Sequence, residues 1–386
     1  MRRLALLLAT AVYAVALVLA PTADASRFLR IGIYDDAEIL FGNPDYVFPI
    51  LQQMSTKLIR ANLRWGGPNG VANTRPGNPS DPADPAYDWS AYDRTVLRGK
   101  AIGAEVMLSI VGTPSWANGG RPWNTAPTKA IDLRRFAVAA ARRYNGTFVG
   151  PDGRLPAVRL WLAWNEPNNP VFLQPQYAQV GSRWVLQSAK DYARICDSIA
   201  SGVKSIQRKA RVACGVTAPR GNNNPTSNRP SSSPITFLRA MKAAGASGFD
   251  AYAHHPYYGT RNETPSTPPP QGARGQAATA VTLGNFEVLA KEVKRLYGNV
   301  RLWVTEYGYQ TSPPDRLFGV TWANQANYMR EAYLKLRANP KVDVFVWFLL
   351  RDEARLGGWQ SGVYTRRYIR KDAREVFEQI SSGRIR

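Results

Sequence analysis

The sequence predicts a (β/α)8 barrel, and three observations lead there. Eight short runs rich in β-branched and aromatic residues recur along the chain. Amphipathic segments separate them. The length of 386 residues suits one such barrel with long loops after an N-terminal leader. The strand candidates are Phe28–Tyr34, Leu58–Trp65, Glu105–Ile110, Val158–Trp164, Arg211–Val216, Phe249–His254, Leu302–Glu306 and Val344–Leu350. They are apolar on both sides, as strands of a parallel sheet covered on both faces should be.

Between them the clearest helical stretches are Tyr92–Ile102, Leu133–Tyr144, Ala189–Lys209, Ile235–Ala244, Phe286–Tyr297 and Trp322–Ala338. In Ala189–Lys209 the residues Tyr192, Ile195, Cys196, Ile199, Val203 and Ile206 recur at spacings of three and four, which places them on one helical face. Three long loops, Gly66–Asp88, Pro219–Pro234 and Tyr258–Ala280, follow strand C-terminal ends. Barrel enzymes place their chemistry at that end, so these loops are expected to border a cleft.

The leader has its own pattern. Arg2 and Arg3 precede an apolar run from Leu4 to Ala20, and Ala23-Asp24-Ala25 follows. A basic start, an apolar stretch and a small-residue site describe a secretory signal peptide over 1–25, with the barrel over 26–386. No later segment is apolar enough to span a bilayer. The expected location is therefore outside the cell or at its envelope. Export would place Cys196 and Cys214 in an oxidising compartment, where a disulfide between them and two separately buried thiols are both open.

Composition excludes several classes. Apolar residues make up 44% of the chain, with 11 Trp and 18 Tyr, so it can bury a large core and is not a disordered chain. Two Cys and two His cannot supply a disulfide scaffold and hardly a soft-ligand metal site; no metal and no cofactor is expected. No G-x-S-x-G elbow accompanies the His pair, which removes a Ser–His–Asp hydrolase. The net charge of +22 suggests nucleic acid, but the cations are scattered and no RNA- or DNA-binding motif appears. Losing residues 1–25 removes two arginines and one aspartate, so the charge belongs to the folded part.

Two strands end in a glutamate among aromatics: Trp161-Leu162-Ala163-Trp164-Asn165-Glu166-Pro167-Asn168 and Trp303-Val304-Thr305-Glu306-Tyr307-Gly308. A carboxylate at the end of an apolar strand is costly without a partner or a task. Two at one barrel mouth can flank a single bond, as glycoside hydrolysis requires. Trp116 and Trp123, after the third strand, are candidate platforms for the apolar faces of sugar rings.

Trp164-Asn165-Glu166-Pro167-Asn168 resembles the strand-four "NEP" motif of the clan A glycoside hydrolases, the 4/7 superfamily, and Thr305-Glu306-Tyr307-Gly308 resembles its strand-seven segment. Families 5 and 39 are the nearest in pattern. The resemblance spans nearly the whole mature chain. It implies Glu166 as general acid/base, Glu306 as nucleophile and retention of anomeric configuration. It also implies Asn165 on the sugar 2-hydroxyl, Arg64 orienting the nucleophile, His255 and Tyr257 on strand six with Tyr257 bonded to the nucleophile, and Trp347 flooring the sugar site. The implied partner is a poly- or oligosaccharide. The alternative is a non-catalytic glycan-binding protein on the same barrel. The positive charge adds the expectation of anionic cell-envelope polymers or an anionic glycan as partner.

Overall fold

The computed structural model describes residue 26, residues 29–270 and residues 275–385. The leader pattern over 1–25 lies outside the described residues. Eight parallel strands close into a barrel: β1 Arg30–Tyr34, β2 Leu58–Arg64, β3 Glu105–Val111, β4 Leu160–Ala163, β5 Arg211–Thr217, β6 Ala251–His254, β7 Arg301–Tyr307 and β8 Val342–Phe348. Each strand pairs with its sequence neighbours, and β1 closes the barrel against β8 from Arg30↔Val344 to Tyr34↔Phe348. All eight expected strands form, with ends shifted by one or two residues.

Eight helices of ten residues or more pack around it: α1 Pro44–Gln53, α2 Ser90–Ala101, α3 Ala130–Arg143, α4 Gln187–Ile206, α5 Pro234–Ala243, α6 Phe286–Tyr297, α7 Trp322–Arg337 and α8 Asp372–Ser381. The sequence pattern missed α1 and α8. Pro49 interrupts α1, whose start is set by Pro44 in the first turn and by Asn43 capping the Asp45 N–H; tertiary packing of Val47, Phe48, Ile50 and Leu51 overrides the weak local signal. Two small hairpins, Val149–Gly150 with Gly153–Arg154 and Ala178–Val180 with Arg183–Val185, sit in the loops.

The strand period of two sorts the side chains into two cores. Leu58, Met107, Leu160, Leu162, Ala213, Ala251, Ala253, Trp303, Val344 and Val346 fill the barrel interior. Residues of the opposite parity, such as Ile59, Leu63, Trp161, Tyr252, Phe345 and Trp347, pack outward against the helices. The barrel is therefore plugged, and a ligand can enter only at its mouths.

Helix α4 fixes the strand that matters most for the site. Its face of Tyr192, Ile195, Cys196, Ile199 and Val203 is buried, at roughly 1.5–3 kcal/mol for each large apolar side chain. The Tyr192 hydroxyl donates to the carbonyl of Ala163, the last residue of β4, at 2.8 Å. Cys196 forms a disulfide with Cys214 of β5, their Cα atoms 5.8 Å apart. The helix is thus tied to two adjacent strands, and of the two states open for these cysteines the paired one forms.

The bond closes a loop with a sequence separation of 18, which constrains the unfolded chain by about 3 kcal/mol. Cys196→Ser/Cys214→Ser is expected to lose about that much stability in urea denaturation. A midpoint unchanged from wild type would show that the bond does not bear on the native fold.

Candidate active site

The C-terminal mouth opens into a cleft of about 870 Å³. Glu166 and Glu306 both line it, with Tyr34, Asn62, Asn165, Tyr257, Phe348 and Trp359.

The segment after β4 presents Glu166 through an unusual backbone. Trp164 and Glu166 adopt φ values of 69° and 39°, left-handed conformations that cost a non-glycine residue on the order of 1 kcal/mol or more. The surroundings enforce them. The Trp164 indole is fully buried and donates to the Phe172 carbonyl at 2.7 Å. The Glu166 N–H donates to the Val216 carbonyl of β5 at 2.9 Å. Asn168 bonds the backbone of Ala218 and Ser232 through both ends of its amide. The "WNEPN" run is a brace that turns one carboxyl into the mouth.

The two carboxyl groups have different environments. Glu306 Oε1 accepts from Arg60 Nη1 at 2.7 Å, and Oε2 accepts from the Tyr257 hydroxyl at 3.1 Å. Arg60 is completely buried, stacks on Tyr34 at 4.3 Å, and donates from Nη2 to Asn165 Oδ1 at 2.7 Å. A guanidinium and a phenol both favour the ionised carboxylate. Glu166 has no cation against it. Its Oε2 accepts from Asn169 Nδ2 at 3.0 Å, and Oε1 faces His255 Nδ1 at 3.0 Å. Burial pushes Glu166 up to about 7. Burial also pushes His255 down to about 3, so the imidazole is neutral and does not pull the Glu166 proton off. Its Nε2 is held by Thr305 Oγ1 at 3.1 Å.

A carboxylate oxygen of Glu166, one of Glu306 and a ring nitrogen of His255 lie within 4.8 Å of one another. Such a trio could in principle ligate a cation. Arg60 and Tyr257 already occupy both Glu306 oxygens with donors, however, and a guanidinium at 2.7 Å repels a metal from that carboxylate. The arrangement suits proton and nucleophile chemistry instead: one carboxyl raised by burial, one bonded to a guanidinium, both at one cleft.

Several expected positions stand where the sequence pattern put them. Asn165, Glu166, Tyr257 and Glu306 line the cleft. His255, not His254, reaches the carboxylates; His254 turns to Thr217 Oγ1 and the Val281 carbonyl. Four positions do not. Arg64 is not the partner of Glu306; Arg60, four residues earlier on the same face of β2, is. Arg64 lies at the strand's end, lines the cleft and stacks over Trp123 at 5.9 Å. Trp347 does not floor the cleft. It has outward parity, is fully buried, and donates from its indole to the Ser361 carbonyl at 3.0 Å. Its neighbour Phe348 faces the cleft, and Trp359 from the loop after β8 joins it at 5.5 Å between ring centres. Trp116 bonds the Ala72 carbonyl and packs on Trp65. Trp123 sits behind Arg64 and Phe172. Neither tryptophan is a platform of this cleft. Of the three long loops, those after β5 and β6 line the cleft. The Gly66–Asp88 loop instead folds back, its Val71 and Ala72 N–H groups bonding the Arg64 and Trp65 carbonyls.

A family model described as "Family of unknown function (DUF5722)" matches residues 125–384. The chain belongs to that family. The DUF5722 match contains Glu166, His255, Tyr257 and Glu306, whereas Arg60 and Arg64 precede it. No curated protein matches the sequence. Solved structures resemble the fold. One is a family 39 glycoside hydrolase from Bacteroides cellulosilyticus, with TM-score 0.62 and 18% identity over 94% of this chain and 65% of that one. Another is a glucosidase from Croceicoccus marinus, with TM-score 0.64 and 15% identity over 93% of this chain and 68% of that one. A third is a monomeric beta-xylosidase from Caulobacter crescentus, with TM-score 0.58 and 17% identity over 93% and 69%. The chain spans about two thirds of the length of these neighbours. At such low identity the likeness shows the fold.

The reassigned arginine is directly testable. Arg60→Met strands a buried carboxylate and is expected to cost about 3–5 kcal/mol, with Arg60→Met/Glu306→Gln recovering part of it. Arg64→Met is expected to change stability by less than about 1 kcal/mol. Equal costs for the two single variants, measured in urea, would contradict the assignment.

Proposed function

We propose that the protein is a retaining glycoside hydrolase of the clan A type. The observation that carries this is the pair of carboxyl groups at one barrel mouth, close together and set in unlike surroundings, Glu306 against a guanidinium and Glu166 pushed up to about 7 by burial. In the first step Glu306 attacks the anomeric carbon while Glu166 gives its proton to the leaving oxygen. The C–O bond to the aglycone breaks and a glycosyl ester on Glu306 forms. In the second step Glu166, now ionised, takes a proton from water, whose oxygen displaces Glu306. A separation below 4.8 Å for the nearest oxygens supports this double displacement, because inversion needs roughly 6.5–9.5 Å between the groups to seat a water.

Other residues fit the same course. Arg60 and Tyr257 donate to the two oxygens of Glu306 and aim it. Asn165, fixed by Arg60 through its oxygen, has an amide nitrogen available to a sugar hydroxyl beside Glu166. Phe348 and Trp359 supply aromatic faces at the cleft for a sugar ring. The barrel neighbours include a family 39 glycoside hydrolase and a beta-xylosidase, which supports a carbohydrate substrate. The signal-peptide pattern over 1–25 and the Cys196–Cys214 disulfide support export, since such bonds persist in oxidising compartments. Among the described residues no helix is long and apolar enough to cross a membrane.

Glu306→Gln should abolish hydrolysis of every substrate. Glu166→Ala should lose roughly 10²–10⁴ in rate on glycosides with poor leaving groups, and much less on activated aryl glycosides. Added azide should then return a glycosyl azide of retained configuration. An inverted product from wild type, read by NMR at early times, sinks the double displacement.

The pH profile carries its own sign. Glu166 must be protonated to act as acid, so kcat/KM should fall as pH rises through about 7. With an aryl glycoside that needs no acid, that alkaline limb should flatten in Glu166→Ala. A limb persisting unchanged in the variant would assign it to another group.

A further inference from the structure

Arginines outnumber carboxyl groups on the cleft lining. The lining holds two carboxyl groups, Glu166 and Glu306, and three arginines, Arg64, Arg220 and Arg229. Glu306 is neutralised from beneath by Arg60, which does not line the cleft. Asp36 acts on Arg64 and Glu263 stands 3.9 Å from Arg220, so the lining guanidiniums are only partly compensated.

Each is placed by the fold. Arg64 ends β2 on the face that carries Arg60 and Asn62. Its guanidinium makes no hydrogen bond or ion pair among the described residues and rests over Trp123. Arg220 follows β5 and is three-quarters buried, its side chain 24% exposed. Its Nη1 donates to the Tyr258 carbonyl at 3.0 Å. The nearest carboxylate, Glu263, is 3.9 Å away, and the same Glu263 oxygen already accepts the Gly259 N–H at 2.8 Å. Gly259 makes room for the guanidinium: a Cβ there would stand 2.3 Å from Arg220 Nη2. Burial lowers the Arg220 pKa, with Glu263 only partly offsetting it. This is a partly desolvated cation with one carbonyl acceptor and a carboxylate held just beyond hydrogen-bond distance. Arg229 is exposed at the tip of the same loop. Asn222 builds that tip, accepting the Ser231 N–H and donating to the Arg229 carbonyl and Ser227 hydroxyl.

We infer that the cleft takes an anionic glycan, and that Arg64, Arg220 and Arg229 select its negatively charged sugar units. A guanidinium presents a planar fork that pairs with a carboxylate or sulfate through two hydrogen bonds. A concave site lined by one sign of charge also concentrates a polyanion. The cation that acts on Glu166 is Arg60, beneath the cleft. The inference rests on the glycosidase reading for its substrate class, yet binding tests it apart from turnover.

The binding form is Glu166→Gln, which mimics the protonated acid and preserves the Arg60–Glu306 pair. Affinity electrophoresis would compare polygalacturonate and alginate, which carry carboxylates only, with carrageenan, which carries sulfates only. Each is run beside its carboxyl-reduced or desulfated derivative. At least one charged polymer is expected to bind about tenfold or more tighter than its neutralised derivative. Which arm responds distinguishes carboxylate from sulfate. Arg64→Met, Arg220→Met and Arg229→Met should each erode that preference several-fold, and the three together should remove it. Arg366→Ala/Arg367→Ala, exposed and outside the cleft lining, should leave it intact. Where Arg220→Met does not fold, Arg64→Met and Arg229→Met decide alone. Equal binding of charged and neutralised polymers overturns the inference, as does a preference that survives the triple variant or falls equally in the Arg366/Arg367 control. Wild type that cleaves neutral aryl glycosides while showing no charge preference overturns this inference and leaves the glycosidase standing. Wild type that binds acidic polymers through the arginines but cleaves no glycoside does the reverse.

Discussion

The buried contact between Arg60 and Glu306 organises the rest of the site. It joins β2 to β7 across the barrel mouth, and the second arm of the same guanidinium reaches Asn165 beyond β4. One side chain thus sets the relative positions of three strands' ends. Its desolvation cost is offset by an ionised carboxylate, two side-chain or backbone acceptors and the Tyr34 ring. A neutral residue at 60 would leave the nucleophile candidate buried and uncompensated. Arg60 also lowers Glu166, but by less than burial raises it. The placement of Arg60 on one side of the pair is what makes the pair asymmetric.

That asymmetry is reinforced from outside the cleft. His255 touches Glu166, with Glu306 slightly farther off, and would act as a second cation if it were charged. Its burial keeps it neutral, and Thr305 on the strand of Glu306 fixes its ring. The strained backbone at Trp164 and Glu166 is held by the tryptophan anchor, the β5 hydrogen bond and the Asn168 brace. Helix α4 in turn holds β4 and β5 together through Tyr192 and the disulfide. The outer ring therefore contributes rigidity at the strand carrying Glu166.

The barrel was legible because its signals are redundant. Eight apolar runs and six amphipathic stretches agree with one another, so an error of two residues at any end changes nothing. Glu166 and Glu306 were legible because charge at the end of an apolar strand is conspicuous. The misplacements arose where a single residue of phase or position decides the outcome. Arg60 and Arg64 share one face of β2, and nothing local distinguishes which depth faces Glu306. Trp347 and Phe348 are adjacent, and strand parity sends the larger ring outward. Trp359 and Asn169 come from loops, whose course is set by tertiary bonds such as Asn169 to Glu166 and Trp359 N–H to Glu353. No periodicity encodes those contacts.

The net charge of +22 acquires meaning once it is separated by place. On the outer helices and the barrel floor, arginines are matched by acids: Arg143 with Asp93, Arg301 and Arg211 with Asp343, Arg239 and Arg295 with Glu292. Those pairs are structural, and their charge is largely cancelled at short range. The mouth is different. Its two lining acids bond to Arg60, Tyr257, Asn169 and His255, and its lining arginines have no acid at hydrogen-bond distance. Two barrels with the same total charge could differ completely in which ligands they attract, because screening erases distant charges within about 10 Å while leaving a focused cleft effective. The informative quantity is therefore the charge that borders the two carboxyl groups, and here arginines stand on both sides of the cleft, at the end of β2 and in the loop after β5.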